Sequence, residues 1–215
     1  MHTNWDSQWE NESGRAFWNA PDAHVVKFAD EYGIGKGDLA LDLGCGLGRH
    51  ALFLAKRGAR VSAIDESAVA VGKLIESAAV LQLEICAEVC DYLSFAPMEK
   101  FDYIVAFNVI YHGNAEHFAK SISRCRDLLK PKGSLLFTCP SRSDGKYGSG
   151  DKVADNAYAS LNSLHPGDIH YFAGESEIKE LLRRFDAVKI ELDEYYWDNS
   201  GEPQFASNFV VVADK

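Results

Sequence analysis

No apolar run in the 215 residues approaches the ~20 needed to cross a bilayer, so the 47% hydrophobic content is read as core of a globular protein. The five cysteines, Cys45, Cys86, Cys90, Cys125 and Cys139, are odd in number and contain no CxxC pair. That excludes a simple disulfide framework and fits free thiols in a reducing compartment. A Lys/Arg block of the kind that tracks a phosphate backbone is also missing: 22 basic residues stand against 32 acidic ones, a net charge of -10. The nearest basic group, Lys179, Arg183 and Arg184 on one predicted helix, reads as a solvated face, so nucleic acid is not an expected partner. The opening MHTNWDSQWENESGR lacks the apolar stretch of a signal peptide. The expectation is a cytoplasmic protein with no membrane association, a monomer or a homodimer.

What is present is an alternation of strand and helix patterns, the mark of a parallel sheet covered on both faces. Strands are predicted at Leu39–Leu43, Arg60–Ile64, Glu84–Val89, Phe101–Phe107 and Ser134–Cys139. Helices are predicted over Arg49–Arg57, Ser67–Leu81, Ala115–Leu129 and Glu175–Phe185. Two further extended segments, Ala187–Tyr196 and Phe205–Val212, are joined across Asp198-Asn199-Ser200-Gly201. This reads as a hairpin that makes the end of the sheet antiparallel. The length suits one domain, 1–215, with residues 1–37 a helical cap and 38–213 an α/β core. Residues 140–173, rich in Ser, Gly, Asp and Asn, are too long for a plain connection and read as a mobile capping loop with short helical pieces.

The strongest local signal is LDLGCGLGRH, Leu41 to His50, a buried strand running into glycines at 44, 46 and 48 before a helix. Gly44 and Gly46 let the backbone turn and approach a ligand closely. A nicotinamide-type GxGxxG would place glycine or alanine at 49, where Arg49 stands. Asp42 is expected to face the loop, disfavouring a pyrophosphate and attracting a ligand that carries ammonium and sulfonium charges. Asp65, closing the second strand, is placed to accept from ribose hydroxyls, or else to cap the next helix. Asp91-Tyr92 follows the third strand, either beside an adenine or simply forming a turn.

Together, LDLGCGLGRH, Asp65, Cys90-Asp91-Tyr92, FDYIVAFNVIYH and LLKPKGSLLFTCPS resemble the class I S-adenosylmethionine-dependent methyltransferases over about residues 38–213. The NVIYH and GDIHYFAGESEIKELL segments are similar to small-molecule members of the tellurite-resistance and thiopurine type. The resemblance implies a Rossmann-like seven-stranded sheet of order 3-2-1-4-5-7-6, its last strand antiparallel. It further implies S-adenosylmethionine as cofactor and S-adenosylhomocysteine as product. Gly44, Cys45, Gly46 and Gly48 would line the methionine portion, Asp65 would hold the ribose, Asp91 and Tyr92 would bracket the adenine, and Asn108 would meet the methionine portion and the reacting methyl; Asp42, Arg49 and Glu66 are further cofactor-binding candidates. The Asn-Pro-Pro-Tyr motif of nucleic-acid amino-methylating enzymes is missing, which turns the reading toward a small-molecule acceptor: thiol, hydroxyl, amine or oxyanion.

A sulfonium methyl needs alignment more than activation, so few catalytic side chains are required. His112, Tyr111 and His170 are the catalytic candidates, His112 because it stands where open α/β sheets bind ligands. Trp9, Trp18, His165 and Tyr171 are candidate substrate contacts; the tryptophans either roof the site, aromatic faces suiting a cation, or pack on the sheet. No metal is expected, because no His/Cys set has ligand spacing in the sequence. The competing readings are a non-catalytic S-adenosylmethionine-binding regulator or partner subunit, and a nicotinamide oxidoreductase.

Overall fold

The computed structural model describes residues 5–10, 20–159, 167–199 and 202–215. The elements in chain order are α1 Trp5–Glu10, α2 Ala23–Glu31, β1 Leu39–Leu43, α3 Arg49–Lys56, β2 Arg60–Asp65, α4 Ala68–Val80, β3 Ile85–Val89 and β4 Phe101–Ala106. There follow α5 Ala115–Leu128, β5 Leu129–Pro140, β6 Asp151–Ala154, β7 Ala157–Ala159, β8 Ile169–Tyr171, α6 Glu175–Leu181, β9 Ala187–Asn199 and β10 Glu202–Asp214. The main sheet runs β3-β2-β1-β4-β5-β10-β9. β1 to β5 are parallel, and β10 is antiparallel to both β5 and β9. This is the seven-stranded, Rossmann-like order the sequence implied.

Two apolar layers enclose the sheet. Val25 and Phe28 of α2 and Ala51 and Leu54 of α3 pack on one face with Ala40, Ala63, Val105 and Leu136. Phe118, Ile122 and Cys125 of α5 and Ile178 of α6 pack on the other with Leu41, Ile104 and Phe137. Alternate residues of β1 and β4 thus go to opposite faces, which is why both strands read as continuous apolar runs. Side-chain caps start the helices where the carboxyl ends of the strands need them: Asp22 for α2, Ser67 for α4 and Asn114 for α5 each accept a backbone N–H from the first turn.

One expectation is corrected here. The segment 140–173 carries no helix among its described residues; it forms a three-stranded antiparallel sheet, β6-β7-β8. β8 is sewn to the end of β4: Gly113 N donates to Ile169 O (2.8 Å) and Tyr171 N to Tyr111 O (2.9 Å). The strands win because backbone groups crossing the sheet's end must find partners, and the exposed backbone after β4 supplies them.

Candidate active site

The glycine loop hangs from the second strand, since Gly44 N and Cys45 N both donate to Ile64 O, at 2.8 and 2.9 Å. Gly44, Gly46 and Gly48 have φ of 68°, 51° and 82°, the left-handed region where glycine is favoured. Their side-chain directions differ in purpose. A Cβ on Gly44 would lie 2.3 Å from Val109, and one on Gly48 would lie 2.2 Å from Leu74, so these two glycines admit protein neighbours. A Cβ on Gly46 would meet the Trp9 ring at 2.9 Å, so this position faces the roof of the crevice. Cys45 is buried, and burial pushes its thiol well up, which suits a packing role.

The carboxylates depart from expectation in instructive ways. Asp42 is buried and does not line the loop's open side; its Oδ2 accepts from Ala51 N (2.9 Å) at the start of α3. The correction has a simple cause: the strand's alternation turns Asp42 under the loop, where the helix N-terminus offers an unpaired donor. Burial raises Asp42 to about 7, while burial lowers its neighbour His50 to about 3; they stand 4.0 Å apart. Asp65 accepts from Gly46 N (2.8 Å) and Ser67 N (2.9 Å), bracing the loop against the start of α4. Burial raises its pKa.

Asp91 makes the turn: its Oδ1 accepts from Leu93 N at 2.8 Å, and the residue is exposed. The Tyr92 hydroxyl turns to α5, 2.6 Å from His117 Nε2 and 2.8 Å from Ser121 Oγ. Asp91 thus forms the turn that was one of its two readings, and the Tyr92 hydroxyl is satisfied by α5. Glu66 is exposed beside Asp65.

At the end of β4, Asn108 has a φ of 59° and is held by Thr138, whose Oγ1 accepts from Asn108 N (2.8 Å) and donates to Asn108 Oδ1 (2.9 Å). Beside it opens a cavity of about 370 Å³ whose lining includes Asp22, Arg49, Phe107, Asn108, Thr138 and Tyr195, a size that admits a small organic molecule. Arg49 lies against the Phe107 ring.

The helix α1 crosses this end of the sheet. Trp5 sets its ring edge-on to His112 (5.0 Å between centroids), Asp6 accepts from Ser67 Oγ (2.5 Å) and Val69 N (3.2 Å), and Trp9 covers Gly46. The buried Trp9 indole N–H meets no acceptor among the described residues. Trp18 and His165 lie outside the described residues.

His112 stacks on Tyr111 (4.6 Å) and meets His170 edge-on (4.9 Å), and its Nε2 lies 3.3 Å from Asn108 O. The three catalytic candidates are thus brought together. Asp168 joins them, one ligand-type atom each of His112, Asp168 and His170 lying within 4.8 Å of the others. Sequence spacing alone overlooked this companion. The available signal was its place two residues before His170, the same side of an extended strand. Tyr171 is corrected from substrate contact to floor: its ring is buried against Phe118 and its hydroxyl donates to Glu177 Oε1.

At the tip of β1, then, Gly46 N is held by the Asp65 carboxylate (2.8 Å) and the Trp9 ring packs directly on Gly46.

Residues 40–133 match the family model described as a methyltransferase domain. The chain is 26% identical over 191 residues to the S-adenosyl-L-methionine-dependent Diels-Alderase iliD of Neonectria sp. (strain DH2), covering 86% of this chain and 71% of that protein. It is 27% identical over 124 residues to the ubiquinone biosynthesis O-methyltransferase of Stutzerimonas stutzeri (strain A1501), covering 57% and 53%. Several curated relatives are longer, and this chain spans about a third of one and about half of others. Among solved structures, TehB from Haemophilus influenzae aligns with a TM-score of 0.68 at 21% identity, over 98% of this chain and 65% of that one. The fold is that of the class I S-adenosylmethionine-dependent methyltransferases.

Proposed function

We propose that this chain, on its class I methyltransferase fold, binds S-adenosylmethionine and transfers its methyl group to a small-molecule acceptor. One observation carries the reading: on this fold the turn after β1 is a glycine loop whose Gly44, Gly46 and Gly48 are all left-handed, with Gly46 N held by the Asp65 carboxylate at the end of the adjacent strand. When bound, the cofactor supplies an electrophilic methyl on sulfur, and as the acceptor's lone pair bonds the methyl carbon the C–S pair returns to sulfur.

The chain's own task is alignment. Asp65 fixes the loop and takes up a ribose hydroxyl, Arg49 and Asn108 hold the methionine end, and the cavity beside Asn108 receives the acceptor. For a hydroxyl acceptor, His112 takes the released proton, with Tyr111 and His170 fixing its ring. A single domain serves this reaction, with Trp5 and Trp9 of α1 and the β8 segment at the site. The ubiquinone-type relative favours oxygen as the methylated atom.

Calorimetry with S-adenosylmethionine and S-adenosylhomocysteine, followed by product mass across thiols, phenols, amines and oxyanions, tests the proposal. Binding of both nucleosides and a gain of one methyl in at least one acceptor are expected; no binding at millimolar concentration overturns it. The Diels-Alderase relative favours a second reading, in which the nucleoside is held and its methyl retained. Binding without S-adenosylhomocysteine formation from any acceptor supports that alternative.

A further inference from the structure

The structure assigns a divalent transition-metal site to His112, Asp168 and His170, beyond the end of β4, with His112 Nε2 3.3 Å from the carbonyl of Asn108, which lines the cavity proposed for the acceptor. Each residue contributes one ligand-type atom, and the three atoms lie within 4.8 Å of one another. Asp168 and His170 are 2% and 7% exposed, and His112 is half-buried, so the cluster is withdrawn from solvent.

Its geometry is imposed by backbone. Asp168 and His170 are two residues apart, on one side of extended chain, and His112 faces His170 across an antiparallel bridge. The flanking hydrogen bonds, Gly113 N to Ile169 O and Tyr171 N to Tyr111 O, clamp the two segments on either side of that bridge. The rings of His112 and His170 meet edge-on at 72°, with one nitrogen of each within 4.8 Å of the other.

The donor set selects the ion. Two imidazoles and one carboxylate suit Zn²⁺, Fe²⁺, Co²⁺ or Mn²⁺, whereas Mg²⁺ and Ca²⁺ prefer oxygen alone. Ligands at ~2.0–2.2 Å from zinc stand roughly 3.5 Å apart, so closure needs side-chain rotations of about an ångström. Among the described residues no fourth His, Cys, Asp or Glu joins the group, which leaves coordination positions for an acceptor. The ligand class that follows is an oxygen-bearing acceptor such as a phenol or enol. With a cation bound, His112 would be a ligand in place of the base role given to it above; coordination would lower the pKa of such a hydroxyl, whose proton would leave to solvent before the oxygen meets the methyl carbon. The acceptor's identity rests on the proposed methyl transfer, while the cation site stands on the residues themselves.

The test uses the full chain, dialysed against chelator and titrated with Co²⁺ while visible d–d absorption is recorded, with Zn²⁺ as competitor. A saturable 1:1 signal displaced by Zn²⁺ is expected, together with at least tenfold weaker binding in Asp168→Asn and His170→Gln. A rise in melting temperature of the unaltered chain with Zn²⁺ keeps the test valid should either variant fold poorly. Absence of a saturable signal below about 100 µM Co²⁺, or equal affinity in both folded variants, overturns the site. S-adenosylhomocysteine is titrated in parallel: its binding without Co²⁺ binding removes the cation site alone. Co²⁺ binding without it keeps the site and removes the cofactor reading.

Discussion

The two sides of the crevice are built differently. On the side proposed for the cofactor, Gly44 N and Cys45 N are bonded to Ile64 O and Gly46 N to the Asp65 carboxylate, all within about 20 residues of sequence, between two adjacent parallel strands. On the side proposed for the acceptor, Trp5, Tyr111, His112, Asp168 and His170 come from three distant segments and meet through rings and one bridge. A local, backbone-locked loop can be reused for one nucleoside across a fold, whereas a site assembled by side chains can change its acceptor without disturbing the sheet.

The contrast predicts a separation of binding from turnover. Replacing His112 by Asn should lower kcat by about 10²–10⁴-fold for a hydroxyl acceptor, while S-adenosylhomocysteine affinity stays within about threefold; comparing steady-state rates with calorimetry decides this. A matching loss of nucleoside affinity would show the two sides to be one unit.

Gly44→Ala attacks the locked side. The positive φ and the Val109 contact at 2.3 Å should together cost about 2–4 kcal/mol, read by urea unfolding. Gly148→Ala is the control, with a φ of 78° and open space around it, and should cost only about 1 kcal/mol. Equal losses would mean that backbone strain alone governs the loop.

Asp65→Ala leaves the Gly46 and Ser67 amides without their acceptor. Nucleoside binding should weaken by about 1–3 kcal/mol, measured by calorimetry, with turnover at saturating nucleoside largely kept.

The smallest effect concerns pH. Asp42, raised to about 7 by burial, holds its proton more tightly folded than unfolded, where carboxyls titrate near 3.9. Its contribution is therefore greatest at low pH and is lost as pH rises from about 4 to 7. His50, lowered to about 3, acts oppositely: its contribution is lost as pH falls from about 6.5. The slopes offset each other in the native chain. Asp42→Asn removes one, so its stability should fall by on the order of 1–2 kcal/mol between pH 6.5 and 4, visible in denaturation midpoints, while the native chain changes less.

Much of the fold was legible because both faces of β1, β4 and β5 are apolar and caps such as Ser67 and Asn114 precede the helices they start. The strand order followed from a resemblance, and the terminal hairpin from turn residues. The site was legible only in part. Gly46 and Asp65 stand where their chain positions suggested, bonded to each other, while Asp42 and Tyr92, which were also assigned to a ligand, have nearby N–H groups or hydroxyls as partners. Asp168 escaped notice because it follows His112 by 56 positions, and only the bridge between β8 and the end of β4 makes them neighbours.

Sequence alone determined where the backbone must turn left-handed, which strands are buried on both faces and which acidic residues stand at strand ends, since each depends on neighbours within a few residues. The tertiary structure decided which side of the sheet's end each polar group serves. It tucked Asp42 beneath the loop, laid Trp9 across Gly46 and closed two histidines on an aspartate, because such contacts depend on where distant segments cross.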